Sequence, residues 1–515
     1  MISNSNYYSD ADIPKFGIEV EAAQSGSRKR RFCVRVFVFV SLAWMVSSCT
    51  LFSGDKNSKL EQVLKPLPLA NSSTNPEDRI GAKEHPKIVA ANGGVYTDPK
   101  LAGMLSEIAL TLTTHSSSKI KNYRITILNS PSVNAFALPG GYLYVTRGLL
   151  ALANDKAEIA AVLAHEIAHV TANHGIKRIK RLEDAKLADR VVLDVLSNDR
   201  AGRVALAATK INLAKFSQNQ ELQSDLLGIR MLGGAGYDPY AAARFLGAMG
   251  AYSKYQTSLS SRNPDADFLS THPSTPKRIE LAKRHARAFG RPGAGISNRD
   301  LYLNAIDGML YGDSAQEGYV RGHQFSHVGL GITFSVPKGY DIDNNAKAVV
   351  ISGPNQIAIR FDGISQPASV SLEEYLTSGW VNGLKRKQTI TTIVNGLETA
   401  YGEAEADGWT FNITLIRVNS QIYRFILAAP KNAKNPARIA RQVSDSFRKL
   451  DRVEKLNLKP LRIRVVRVGA SGSITQIVSR MQGVRRKLDL FRLLNRLKRG
   501  TRLKPGSRVK IVVSR

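Results

Sequence analysis

The apolar positions of this chain change period along its length, and the changes divide it. From about residue 85 to 289, apolar residues recur mainly at three- and four-residue spacings, the signature of amphipathic helices. Two short stretches interrupt this pattern. Residues 122–128 alternate, and Tyr142-Leu143-Tyr144-Val145 is aromatic and β-branched; both read as strands. Ala137-Leu138-Pro139-Gly140-Gly141, between them, reads as a turn. Asn154-Asp155 offers an N-cap, with Glu158 in the first turn, for a helix from Lys156 to about Asn173. Beyond the Gly- and Pro-rich segment 290–295 the pattern changes. Residues 331–337, 348–352, 357–361, 412–418 and 423–428 read as strands, and 371–384 and 436–450 as helices. Residues 461–513 read strand–helix–helix–strand. The expected class is α+β. A mostly helical domain with a small sheet spans 85–290, a small accessory α+β domain 300–450, and a βααβ module 461–513.

The chemistry sits in the helix that starts at Lys156. His165-Glu166-Ile167-Ala168-His169 puts two imidazoles at i and i+4, on one face, where both reach a single ion. Zinc takes neutral imidazole, and a catalytic zinc needs a third protein ligand and one position left for water. Glu166 follows the first histidine and is placed to act as general base on that water. Downstream, Glu221 and Asp225 are again i and i+4 in a helical stretch. Alone they would read as a solvent-facing acidic pair. Beside two histidines that lack a third ligand, Glu221 completes a His-His-Glu set. Asp225 then accepts the outer N–H of a ligating histidine and fixes its tautomer. The expected cofactor is one Zn2+ per chain.

Composition adds location and partners. The chain has 515 residues, 43% of them apolar, and a formal net charge of +31. From Asp451 to Arg515 there are 19 Lys/Arg against 3 Asp/Glu. Such a block suits anionic partners (lipid headgroups, a wall polymer or nucleic acid) or forms a solvated basic surface. The only cysteines are Cys33 and Cys49, so no disulfide framework holds the body. A basic cluster at Arg28 to Arg31, an eleven-residue apolar run from Val36 to Val46, and Ser47-Ser48-Cys49 supply the three parts of a secretory signal. The run is too short to cross a hydrocarbon core of ~30 Å. Its end resembles a bacterial lipobox, which implies that Cys49 is lipidated and begins the mature chain. Thr50 after it implies, by the sorting rule of Gram-negative lipoproteins, an outer-membrane lipoprotein facing the periplasm. Residues 1–49 are thus the expected signal segment and 50–84 a flexible tether. Nucleic acid is not an expected partner, because the signal takes the chain out of the cytoplasm and stacking aromatics are sparse in the basic tail.

Five motifs in order carry a family resemblance: residues 134–142 (Asn-Ala-Phe-Ala-Leu-Pro-Gly-Gly-Tyr), His165-Glu166-x-x-His169, Glu221-x-x-x-Asp225, Gly236-Tyr237-Asp238-Pro239 and Thr271-His272-Pro273-Ser274-Thr275. Over about residues 85–288 the chain resembles the HtpX/BepA/Oma-like gluzincins, relatives of the CAAX prenyl proteases. The resemblance implies a zinc endopeptidase of membrane-protein quality control. It also implies that Tyr142, Leu143, Tyr144 and Val145 pair with an extended substrate by β-augmentation. His272 reads either as a regulatory or fourth zinc ligand, as in some relatives, or as a structural cap before Pro273. Gln223-Ser224 departs from the Glu-Ala of many members. His174, off the ligand face, reads as a residue behind a ligand or as a helix-end histidine. Residues 461–513, ending Leu503-x-Pro505-Gly506-x-x-Val509-x-Ile511, resemble a degenerate LysM module, which implies peptidoglycan as a partner.

The leading expectation is a metalloendopeptidase that hydrolyses misfolded or stalled envelope proteins. The alternatives are a wall-tethered assembly chaperone or scaffold with secondary proteolysis, and a peptidoglycan hydrolase. Residues 176–218 are a candidate lid over the site.

Overall fold

The structure, a computed structural model, describes residues 76–181, 216–259 and 271–514, apart from 119, 121, 347, 382 and 407. The expected signal segment with Cys49, the tether up to residue 75 and most of the 176–218 lid lie outside the described residues. The chain is of α+β class. Helix α1 (Pro76–Ala91) starts inside the stretch expected to be tether. Its charged composition conceals a narrow apolar stripe, in which Ala82, Ile88 and Val89 cover Tyr142 and Tyr144.

Helix α2 (Pro99–Thr114) is capped by the Asp98 side chain, which accepts from the Lys100 and Leu101 amides. It buries Leu101, Leu105, Ile108 and Leu112 along one stripe. A sheet follows, of β1 (Arg124–Leu128), β2 (Ala135–Leu138) and β3 (Tyr142–Thr146), in the order β1-β3-β2. Ala137 and Leu138 belong to β2, so the expected turn contracts to Pro139-Gly140-Gly141. Gly140 and Gly141 take φ of +82° and +78°, a region open to glycine at no steric cost.

This order corrects the expected substrate strand. β3 pairs in parallel with β1 along its whole length and antiparallel with β2, and all five of its residues are buried. Both of its edges are used, so Tyr142, Leu143, Tyr144 and Val145 cannot add an extended peptide. The outer edge of β2 has no strand partner among the described residues.

Helix α3 (Arg147–Leu152) leads into α4 (Lys156–Thr171), which packs against α2, β2, α5 (Gln218–Gly234) and α6 (Ala241–Leu259). Helix α7 (Pro276–Ala286) crosses α5 and α6. Enclosure on every side explains why α4 is apolar nearly all round, and why its residues from Lys156 to His169 are all buried.

Helix α8 (Arg299–Ile306) and the short β4 (Leu310–Tyr311) pack with this core. The accessory domain holds two antiparallel sheets. One has four strands, β5 (Tyr319–Arg321), β6 (Gln324–His327), β7 (Ile332–Ser335) and β15 (Arg448–Lys449), in the order β15-β7-β6-β5. The other has seven: β8 (Asp341–Asn344), β9 (Val349–Ser352), β10 (Ala358–Ser365), β11 (Ile390–Val394), β12 (Leu397–Ala406), β13 (Trp409–Val418) and β14 (Gln421–Pro430). Its order is β11-β12-β13-β14-β10-β9-β8. Helices α9 (Leu372–Thr377), α10 (Pro436–Ser444) and α11 (Arg452–Asn457) complete the domain and lead out of it.

The C-terminal module runs β16 (Leu461–Arg467), α12 (Ile474–Ser479), α13 (Lys487–Asn495) and β17 (Arg508–Ser514). β16 pairs with β17 and with β4. The module shares one continuous core with the helical domain, in which Ile463, Phe491, Leu494 and Ile511 join Leu150, Ile159 and Leu163. Its polar contacts reach the start of the histidine helix. Lys510 is fully buried, and its Nζ donates to the carbonyls of Ala151, Leu152 and Ala153 at 2.7, 3.3 and 2.6 Å. Arg496 grips the buried carboxylate of Glu158 with both terminal nitrogens. No helix among the described residues is long and apolar enough to cross a membrane.

Candidate metal centre

Two helices bring the chemistry together because each carries its polar residues one turn apart. α4 begins at Asp155, whose side chain accepts from the Glu158 amide. α5 begins at a capping box formed by Ser217 and Gln220. The helices meet at Gly228, where a Cβ would stand 3.1 Å from the backbone N of His165, so a side chain there would push them apart. That close approach lets Glu221 and Asp225, two turns and one turn before Gly228, reach the histidines of α4.

His165 Nε2 and His169 Nε2 lie 3.0 Å apart. Glu221 Oε1 lies 3.3 Å from His169 Nε2, and Oε2 lies 3.5 Å from His165 Nε2. The loop before α7 adds His272, whose Nδ1 stands 2.9 Å from Glu221 Oε1 and 3.3 Å from His165 Nε2. Donor atoms of all four residues fall within 4.8 Å of one another, and all four side chains are buried. Asp225 Oδ1 sits 3.1 Å from His165 Nδ1, the nitrogen turned away from this cluster. Glu166 is 1% exposed. Its Oε1 has no hydrogen-bond partner among the described residues and lies 3.7 Å from His272 Nε2.

Arg278 carries only a weak mark in the sequence. Its guanidinium is buried and grips Asp225 with Nε and Nη2, at 2.7 and 2.8 Å, while Nη1 stands 2.7 Å from Glu221 Oε2. One cation therefore holds both acidic side chains of α5. Phe216 covers the cluster from the side, its ring 4.1 Å from that of His169. His174 is fully buried, with Nδ1 3.1 Å from His169 Nδ1.

The electrostatics follow from burial and pairing. Burial disfavours a charged His165, but its bonds to Asp225 and Glu221 outweigh this and push it up to about 10. Burial holds His169 well below its ordinary value, in the neutral form that ligates. Burial would raise Glu221, but His272 and the hydrogen bonds from three histidines hold it well below the usual carboxylate range. Asp225, also buried, is brought down to about 2 by Arg278 and His165. Glu166 moves the other way, raised by burial against the pull of His272 and His165, as suits a residue that must take up a proton.

Three imidazoles and a carboxylate, two of them already hydrogen-bonded on their outer side by Asp225 and His174, form a donor set that suits zinc. Arg278→Met would leave two buried carboxylates without their cation. Removing one partner of a buried ion pair costs about 3–5 kcal/mol. Denaturant unfolding of the metal-free variant should show a loss of that size, and a loss below ~1 kcal/mol would contradict the burial of this pair.

Residues 98–286 match the model of peptidase family M48. The chain is 29% identical over 218 residues to the beta-barrel assembly-enhancing protease of Escherichia coli (strain K12), covering 41% of this chain and 43% of that protein. It is 28% identical over 280 residues to the protein of the same name from Yersinia pestis, covering 50% and 55%. It is 32% identical over 162 residues to the mitochondrial metalloendopeptidase OMA1 of Arabidopsis thaliana, covering 31% of each chain. The chain thus spans about half or less of the length of these curated relatives. Residues 98–286 thus carry a peptidase family M48 domain, which together with the buried donor set supports a zinc metallopeptidase.

Proposed function

We propose that the protein is a zinc-dependent endopeptidase of the cell envelope that cleaves misfolded or stalled envelope proteins. The observation that carries this reading is the buried convergence of His165, His169 and Glu221 beside a Glu166 oxygen with no hydrogen-bond partner among the described residues. Zinc supplies a Lewis acid that polarises the scissile carbonyl and makes water acidic enough to attack near neutral pH. Glu166 takes the proton of the attacking water and passes it to the leaving amine. Asp225 holds His165 by its Nδ1–H, and Arg278 holds Asp225. The outer edge of β2, against α4, is the place for an extended substrate to pair.

Four protein donors fill a tetrahedral zinc, whereas catalysis needs one open position. His272 is therefore a fourth ligand at rest that must withdraw for turnover. His272→Ala should keep zinc and cleave faster, read as the rate on an unfolded substrate. A rate below that of the parent would assign His272 to catalysis instead.

A secretory signal ending at Cys49 supports a lipid anchor, an outer-membrane site and client proteins of the periplasm. The basic residues of the C-terminal module support contact with an anionic wall or membrane surface. The names of the matched relatives, a beta-barrel assembly-enhancing protease among them, fit a role in envelope protein quality control. Mass spectrometry of products tests the substrate class. Internal cleavage of an unfolded protein, with the folded form and purified peptidoglycan left intact, is expected. Digestion of peptidoglycan would overturn it.

A further inference from the structure

The two ligating histidines of α4 are held from behind by different devices. Asp225 takes the outer nitrogen of His165, at 3.1 Å, and carries a charge. Behind His169 no carboxylate stands at that distance among the described residues; its Nδ1 faces Nδ1 of His174 at 3.1 Å. Sequence places His174 for this. α4 ends at Thr171 with Ala172 as its C-cap, and Asn173 takes the left-handed conformation, φ 56°, tolerated by asparagine at a helix end. The chain resumes as helix at 174, which brings this imidazole back beneath His169. His174 Nε2 lies 3.1 Å from Gln223 Oε1, and the buried Ser224 Oγ lies 3.3 Å from His174 Nδ1. Both partners come from Gln223-Ser224, where this chain departs from the Glu-Ala of many relatives.

The protons along this line run in one direction only. His169 turns Nε2 towards Glu221 and His165, so a neutral ligating His169 carries its proton on Nδ1. That N–H donates to His174 Nδ1, which must then be bare. His174 carries its own proton on Nε2 and donates it to Gln223 Oε1. The reverse order would put a proton on His169 Nε2 and block it as a ligand.

We propose that His174 is a positioning residue that fixes the tautomer of His169, with the Gln223 amide fixing that of His174 in turn. A carboxylate behind a ligating imidazole raises its basicity. Here the line ends in a neutral amide, so His169 is the weaker of the two histidine donors and zinc is held less tightly than a charged residue at 223 would hold it.

Zinc dissociation constants from chelator competition test this on the full chain, together with the visible absorption of the cobalt-substituted protein. His174→Phe keeps the ring and removes both nitrogens; it should weaken zinc roughly 10–100-fold and change the cobalt spectrum. His174→Gln retains an acceptor for the His169 N–H and should recover part of the loss. Gln223→Glu should tighten zinc several-fold, and Gln223→Met should weaken it. Gln223 is exposed, so both of its variants remain readable if His174→Phe fails to fold. Affinities within twofold of the parent in all the folded variants would overturn the proposal. The inference rests on His169 being a ligand, and His169→Ala separates the two failures. Zinc that survives that change overturns the metal-site reading; zinc lost there but kept in the His174 and Gln223 variants overturns this one alone.

Discussion

Deleting residues 461–515 should leave the peptidase domain unfolded rather than merely detached from its surroundings. Ile463, Met481, Phe491, Leu494, Ile511 and Val512 are each at most 3% exposed, in the same core as α3 and α4. Burying one such side chain contributes about 1.5–3 kcal/mol. Six together match the whole stability of an ordinary domain, about 5–15 kcal/mol. The deletion also strips Glu158 of Arg496 and the last carbonyls of α3 of Lys510, leaving a buried carboxylate at the start of the histidine helix with only Arg244, at 3.4 Å, as a cationic partner among the described residues. Circular dichroism and limited proteolysis should report loss of the helical domain, and zinc binding should go with it. A truncated chain that is soluble, zinc-loaded and active would show that the module is separable.

This coupling changes how the scaffold reading is tested. Loss of a phenotype on truncation says nothing about wall or membrane contact, because the catalytic unit is lost as well. Charge reversal in the exposed Lys498, Arg499, Arg502 and Lys504 loop leaves the core intact and isolates the surface role.

The site was legible where its chemistry is local. Two pairs at i and i+4, His165 with His169 and Glu221 with Asp225, show themselves in a one-dimensional pattern because a helix turns 100° per residue. The strands 349–352, 358–365 and 421–430 were legible from β-branched and aromatic runs. Arg278 was not, because one buried arginine among 73 Lys/Arg carries no mark of its own. A weak signal existed: Arg278 shares the buried face of α7 with Ala282 and Ala286, at i+4 and i+8. β12 was missed because Gly, Ala and Glu are poor strand formers, although Asn395-Gly396 is a strong hairpin signal just before it. The central place of β3 was beyond local pattern altogether. An apolar strand reads the same whether it lies in the middle or at an edge, and only the pairing of β1 and β2 decides.

The second large effect belongs to Glu166. Glu166→Gln keeps the shape and burial of the side chain and removes its ability to accept a proton. General-base catalysis contributes about 10²–10⁴-fold, so cleavage should fall by that factor. Zinc content should be unchanged, because Glu166 is not among the four donor residues. A variant that loses zinc along with activity would instead make Glu166 a ligand or a structural support. Retained cleavage would remove it from the chemistry.

Zinc content and cleavage of an unfolded protein, followed on one preparation through chelation and zinc repletion, test the central claim most directly. The donor set of His165, His169, Glu221 and His272 predicts one zinc per chain, cleavage abolished by chelator, and cleavage restored by one equivalent of zinc. A chain that takes up no zinc, or cleaves equally well without it, contradicts the account.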